Sequence, residues 1–309
     1  MKIKSILLCF FLWAVILFQP SFSITLNQKI GQLLMVGFIG QYPSEPSIQL
    51  LQTHILKGEL GGVLLFKHNI VSKQQTTDLL TALKNTPSDL PLFIAVDQEG
   101  GYVQRLTEQK GFTKAPSPRI VATSYSDEET THLYDTMAEE LAETGFNLNL
   151  GAMADLNLYP KSPVIGKLNR SYSANPYVAR KNAGLMIDAH RIHKVICAIK
   201  HYPGYGSARI DPHTDALDSS LFWSVIELLP FRWLIKDKRA DMIMSAHIMI
   251  DHIDRRHPAS MSVIHLRQNL RGKEHFKGVV ISDDLMMGAI QKTYGFKESI
   301  IRAIQAGND

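Results

Sequence analysis

Residues 195–206 read Val-Ile-Cys-Ala-Ile-Lys-His-Tyr-Pro-Gly-Tyr-Gly, five apolar residues running straight into a lysine, a histidine and a glycine-rich turn. A short unbroken apolar run bounded by turn residues reads as a strand buried on both faces. The pattern recurs. Further runs of this kind stand at Leu33–Gly37, Gly62–Phe66, Leu92–Val96, Asn147–Leu150, Met242–Ser245 and Gly278–Ser282, with Val195–Ile199 fifth in order. Between them the periodicity predicts helices over Lys73–Lys84, Asp127–Thr144, Pro176–His193, Ser219–Lys236, Ile264–Arg271 and Glu298–Ala306. Ser126 with Glu129 makes a capping box, Pro176 after Asn175 fits the first helical position, and Gly145 and Gly307 stand where helices end.

Apolar strands alternating with helices imply an α/β fold with a parallel sheet covered on both faces. A closed (β/α)8 barrel and an open doubly wound sheet both fit that alternation. An open sheet concentrates its polar residues at one switch point, whereas a barrel gathers them at the ends of many strands. Here they follow almost every run, so the expected fold is a single-domain (β/α)8 TIM-type barrel over residues 24–309. The last predicted helix is followed only by Gly307-Asn308-Asp309, where an eighth strand would begin. The barrel is therefore expected to be truncated at the start of that strand, with two unpaired edges.

The 309 residues are 45% apolar and 20% charged, which excludes a disordered chain, and one apolar run alone approaches membrane-spanning length, which argues against a polytopic membrane protein. The net charge of +4 is small and unclustered, so no nucleic-acid partner is expected. Lys2 and Lys4 precede an apolar stretch, Ile6–Phe18, and then Ser21 and Ser23. This is the layout of a signal peptide over residues 1–23, implying an exported, periplasmic or secreted protein with no stable membrane insertion after cleavage. Cleavage would remove two lysines, lowering the charge from +4 to +2, and would leave Cys197 without a disulfide partner in the chain. A monomer is expected, with no cofactor and no metal.

The polar clusters, in order, are Asp97-Gln98-Glu99-Gly100-Gly101 with Arg105; Asp155, then Asn169-Arg170-Ser171; Lys200-His201 and the glycine turn, then Asp211-Pro212-His213; Ser245-Ala246-His247; and Ser282-Asp283-Asp284. Strand-end carboxylates with cationic side chains suit glycoside cleavage. One carboxylate faces a ring carbon that gains positive charge, and a second group protonates the leaving oxygen and later deprotonates water. In an extended Asp211-x-His213 the two side chains point the same way, so the aspartate can fix the histidine tautomer. Taken alone, Asp283-Asp284 also reads as a helix cap, Arg105 and Arg170 as surface ion-pair partners, and His201 and His247 as satisfied core histidines. Asp155 reads as structural.

The stretches Ile94–Leu106 (IAVDQEGGYVQRL), Lys200–Gly206 (KHYPGYG) with Asp211-x-His213, and Val279–Met287 (VVISDDLMM) resemble the β-N-acetylhexosaminidases of glycoside hydrolase family 3. Gly61–Phe66 and Ala306–Asp309 match in order and spacing, so the resemblance covers residues 28 to 309. It implies a retaining enzyme with Asp283 as nucleophile, His213 as general acid/base and Asp211 as its orienting partner. It further implies that Asp97, Arg105, Arg170, Lys200 and His201 bind an N-acetylglucosamine unit, as in peptidoglycan-derived GlcNAc–MurNAc fragments. The family usually has arginine at the position of Tyr102 and histidine at that of Tyr205, which predicts altered loop packing. Proline at position 212 stiffens the aspartate–histidine pair. The competing functions are a phosphorylase using phosphate in place of water, a metal-dependent amidohydrolase, and a sugar-binding barrel without turnover. The amidohydrolase reading is weakened because no His-x-His follows the first strand.

Overall fold

The computed structural model describes residues 24–209 and 217–309. The expected signal peptide, and with it Lys2 and Lys4, lies outside the described residues, as do Asp211 and His213. Seven strands form one parallel sheet in chain order: β1 (Met35–Gly37), β2 (Gly62–Leu65), β3 (Phe93–Val96), β4 (Leu148–Met153), β5 (Ile196–Tyr202), β6 (Met242–Ser245) and β7 (Val279–Ser282). The sheet curls as in a (β/α)8-type barrel. Among the described residues its free edges are β1 and β7, and at β7 the Asp309 amide donates to the Val280 carbonyl at 2.8 Å, as a neighbouring parallel strand would.

Helices α1 (Pro46–Leu56), α2 (Lys73–Lys84), α3 (Asp127–Thr144), α4 (Pro176–Ile192), α5 (Leu229–Lys236) and α6 (Gly288–Ala306) return the chain between strands or follow the last one, and a π-type helix, Ile264–Lys273, precedes β7. The predicted caps form. Ser126 Oγ accepts from the Glu129 amide while Glu129 returns a bond to the Ser126 amide, and Gly145 and Gly307 end α3 and α6 with positive φ. The expected helix over Ser219–Lys236 is shorter, because Pro230 has no N–H to give the Ile226 carbonyl; the chain takes a 3-10 turn at Val225–Leu228 and starts α5 at Leu229. Helix α6 begins ten residues earlier than its periodicity suggested, with a break at Gly295. Helix α1 has no counterpart in the sequence reading, although Pro46 at its start is the usual signal.

The sheet separates two apolar layers. Val63, Leu65, Ile94, Val96, Cys197, Ile199, Ile243 and Val280 pack toward the helices. Ala95, Leu148, Leu150, Ala198, Met242 and Met244 pack inside the curl with Phe93, Ile196, Val279 and Ile281. Side chains alternate with period two along a strand. The inward series 93, 95 therefore continues to Asp97, the series 196, 198 to Lys200, and the series 279, 281 to Asp283. Three sequence-predicted site residues are thus the next inward positions after apolar residues of the barrel interior, at the C-terminal ends of β3, β5 and β7. The strand period itself places these three side chains on the inner face.

Candidate active site

Lys200 Nζ lies 2.9 Å from Asp97 Oδ1 and 2.6 Å from Glu99 Oε1, and its side chain is almost fully buried. Arg170 grips the same Glu99 in a two-pronged pair, Nε to Oε2 at 2.9 Å and Nη2 to Oε1 at 2.7 Å, and its Nη1 donates to the Val164 carbonyl. Arg105 closes the chain of charges, with Nη2 3.3 Å from Asp97 Oδ2. Burial alone would raise the Glu99 pKa, but the Arg170 and Lys200 charges outweigh it and hold the carboxyl down to about 2. For Lys200, burial pulls downward and the carboxylates of Asp97 and Glu99 more than reverse it, so the ammonium stays charged. The result is a rigid, ionised platform: Lys200 keeps one of its three donors, and Arg170 two of its five, uncommitted to these partners.

His201, the next residue of β5, is held by a buried carboxylate. Asp155 Oδ2 lies 2.6 Å from His201 Nδ1, while Oδ1 accepts from the His201 and Tyr205 amides at 3.1 and 2.9 Å. This contact orients the imidazole through Nδ1 and keeps Nε2 clear of Asp155. The Tyr205 ring packs at a tilt on the His201 ring, 5.3 Å between centroids. The Lys200–His201 and Tyr202–Pro203 peptide bonds are cis. The glycine turn that follows is anchored by Glu227, a buried carboxylate from the segment before α5. Its Oε2 accepts from the Gly206 and Ser207 amides at 2.7 and 3.3 Å, and its Oε1 from Ser207 Oγ at 2.6 Å. Burial is the main reason that its pKa rises to about 7, with nearby Asp155 adding to it and the Ser207 and Gly206 bonds opposing it. Glycine is required here: Gly204 has φ +122°, and a Cβ on Gly206 would overlap the Leu156 carbonyl oxygen.

Asp283 leaves the end of β7 half-buried, its amide bonded to the Ser245 carbonyl at 2.9 Å and its Oδ1 accepting from the Asp284 amide at 2.8 Å. Burial pushes its pKa up, yet the charges of His201, His247 and Lys200 and the Asp284 amide bring the net shift below the usual carboxylate range. His247 is buried and satisfied on both ring nitrogens, by Ser260 Oγ at 2.7 Å and the Asp284 carbonyl at 3.0 Å. It braces the Asp283-Asp284 turn, and burial lowers its own pKa.

The structure thus brings together four of the sequence-predicted residues, Asp97, Arg105, Arg170 and Lys200, in one charged network through Glu99, with His201 beside it on its own carboxylate, Asp155, and Asp283 close enough to feel Lys200 and His201. The reading of Arg105 and Arg170 as surface ion-pair partners does not hold for Arg170, which is 13% exposed and paired with a fully buried carboxylate. Glu99 and Glu227 received no role from the sequence, and Asp155 only a structural one. Glu227 left one sequence trace, a lone carboxylate inside Val225-Ile226-Glu227-Leu228-Leu229. Among the described residues no three His, Cys, Asp or Glu side chains gather as metal ligands would, and no helix is long and apolar enough to cross a membrane.

A curled parallel sheet with a carboxylate after β7 and a charged rim built from β3 and β5 is an α/β barrel with its polar residues gathered at the C-terminal strand ends. The chain belongs to glycosyl hydrolase family 3, whose N terminal domain matches residues 25–309. It is similar to beta-hexosaminidase A of Pseudoalteromonas piscicida, 31% identical over 93% of this chain and 53% of that protein. It is likewise similar to the beta-hexosaminidase of Tolumonas auensis, 35% identical over 81% of this chain and 74% of that one. Among solved structures, a family 3 beta-N-acetylglucosaminidase from a Paenibacillus species superposes with a TM-score of 0.85 at 31% identity, covering 93% of this chain and 54% of that one. The chain therefore spans about half the length of two of these three proteins.

Proposed function

We propose that this protein is a retaining exo-β-N-acetylglucosaminidase that removes terminal β-linked N-acetylhexosamine, as from peptidoglycan-derived fragments. The observation that carries the reading is Asp283, kept ionised at the inward position after β7 opposite the Asp97–Lys200–Glu99–Arg170 network. Asp97 accepts hydrogen bonds from ring hydroxyls, His201 meets a hydroxyl through Nε2, and the uncommitted N–H groups of Lys200, Arg105 and Arg170 donate to hydroxyls or the acetamido oxygen. Asp283 attacks C1 as the bond to the leaving oxygen breaks, forming a glycosyl ester. His213 gives its proton to that oxygen, with Asp211 accepting from the other ring nitrogen. The histidine then takes a proton from water, which displaces Asp283 from C1, so configuration is retained after two inversions. The platform is ordered before substrate arrives, so binding energy goes to positioning rather than to organising charges.

Export by the segment 1–23 and action as a monomer belong to the same proposal. The test is hydrolysis of an aryl β-N-acetylglucosaminide by the chain and by Asp283→Ala. Release of the phenol by the first and its loss in the second support the reading; equal rates overturn it.

A further inference from the structure

Between the segments that follow β2 and β3 lies a cavity wide open to solvent, of about 640 Å³, lined by Phe66, Lys67, His68, Arg105 and Lys110. Three of the five residues carry permanent positive charge and none is acidic. Among the described residues no carboxylate lies within ion-pair distance of Lys67 or Lys110, while Lys110 Nζ donates to the Lys67 carbonyl at 2.8 Å. Burial first, and then the nearby Lys67 charge, lowers the Lys110 pKa. Arg105 Nε is buried without a hydrogen-bond partner, although Nη2 of the same guanidinium bonds to Asp97. The Phe66 and His68 rings stack at 5.9 Å, giving the cavity one flat wall. Two lysines without a carboxylate partner beside a concavity, with a spare buried N–H on the Asp97-paired Arg105, suit an anion.

Arg105 belongs both to this cavity and to the sugar network, which orients the ligand. The reacting carbon must sit at Asp283, after β7, four strands along the curled sheet from β3. Lys200 of β5 lies between them, bonded to Asp97. Asp97 and Arg105 therefore meet the ring edge remote from C1, and the cavity lies beyond that edge, away from the leaving group. We propose that the cavity binds an anionic substituent, a phosphate or carboxylate, carried on the far edge of the terminal hexosamine, so that the enzyme favours acidic β-N-acetylhexosaminides. This rests on the hexosaminidase reading above and adds to it the class of sugar accepted.

The test is calorimetric titration of the protein at low ionic strength with N-acetylglucosamine, N-acetylglucosamine 6-phosphate and inorganic phosphate. The 6-phosphate is expected to bind about tenfold tighter than the parent sugar, as one charge-assisted contact supplies, and tighter than inorganic phosphate. Lys67→Ala with Lys110→Ala is expected to erase that gain and leave the parent sugar's affinity unchanged, which also shows that the variant is folded. Equal affinity of the two sugars overturns the inference alone, as does inorganic phosphate binding as tightly as the sugar phosphate, or a variant that loses both sugars equally. Failure of both sugars to bind overturns the hexosaminidase reading and this inference together.

Discussion

Glu227→Gln probes the buried carboxylate that anchors the glycine turn after β5. An amide is nearly isosteric with the carboxylate. Its oxygen can accept from the Gly206 and Ser207 amides, and its NH2 can donate to Ser207 Oγ, so all three contacts of Glu227 survive. What disappears is the ionisation. The Glu227 pKa stands at about 7 in the folded protein against 4.5 for an ordinary glutamate, chiefly through burial. A folded-state pKa above the unfolded one contributes stability that is fully present below the unfolded value and is lost as pH rises through the folded value. Between pH 4.5 and about 7 the unfolded chain ionises while the folded one holds its proton, at about 1.4 kcal/mol per pH unit. The wild-type protein should therefore lose about 3 kcal/mol at this residue between those limits, and the glutamine variant none. The assay is urea unfolding of both proteins in parallel from pH 4 to 9, reading the difference in unfolding free energy so that every other titration cancels. The variant should equal wild type near pH 4, gain on it through the window, and stay ahead by about 3 kcal/mol above pH 7.5. A difference that is flat with pH, or a variant less stable at pH 8, refutes the argument that Glu227 is held against its own charge.

Other substitutions separate parts of the site. Glu99→Gln removes the charge that Arg170 and Lys200 both face, and should destabilise the protein by about 3–5 kcal/mol, the usual result of leaving buried charge unpaired; a denaturation midpoint shifted by less than 1 kcal/mol in equivalent free energy contradicts the buried-network description. Because the Glu99 pKa is held down to about 2, its contribution is present above pH 4.5 and fades as pH falls toward 2, so wild type and variant should converge in acid. Asp283→Ala should lower kcat on an aryl β-N-acetylglucosaminide by about 10³-fold or more with little change in melting temperature. His213→Ala should slow substrates with poor leaving groups far more than activated aryl glycosides, a contrast visible in a leaving-group series. Gly206→Ala drives a Cβ into the Leu156 carbonyl and should cost at least about 2 kcal/mol by thermal or urea unfolding; a neutral outcome would show that the turn can move.

The strand positions were legible because parallel strands buried on both faces leave continuous apolar runs, and the first polar residue after each run marks the rim. Asp97, Lys200 and Asp283 could be picked out for that reason, and the strand period accounts for their facing inward. Capping at Ser126 and Gly145 was equally local. What escaped depends on partners far apart in the chain: Glu99 meets Arg170 across 71 residues, and Asp155 meets His201 across 46. No periodicity reports such a pairing. The short start of α5 escaped for a different reason, since an apolar pattern over residues 219–236 outweighed Pro230, whose missing N–H decides the outcome. Helix α1 escaped although Pro46 marks its start and the buried Ile48, Leu51 and Ile55 recur at helical spacing.

The central claim is that Asp283 forms a glycosyl ester with a β-N-acetylhexosaminide and so retains configuration. Proton NMR of the first-formed product, recorded before mutarotation, tests this directly. β-N-Acetylglucosamine is expected as the first anomer released, with the signal lost in Asp283→Ala. Initial release of the α anomer, or β release that survives the substitution, would contradict it.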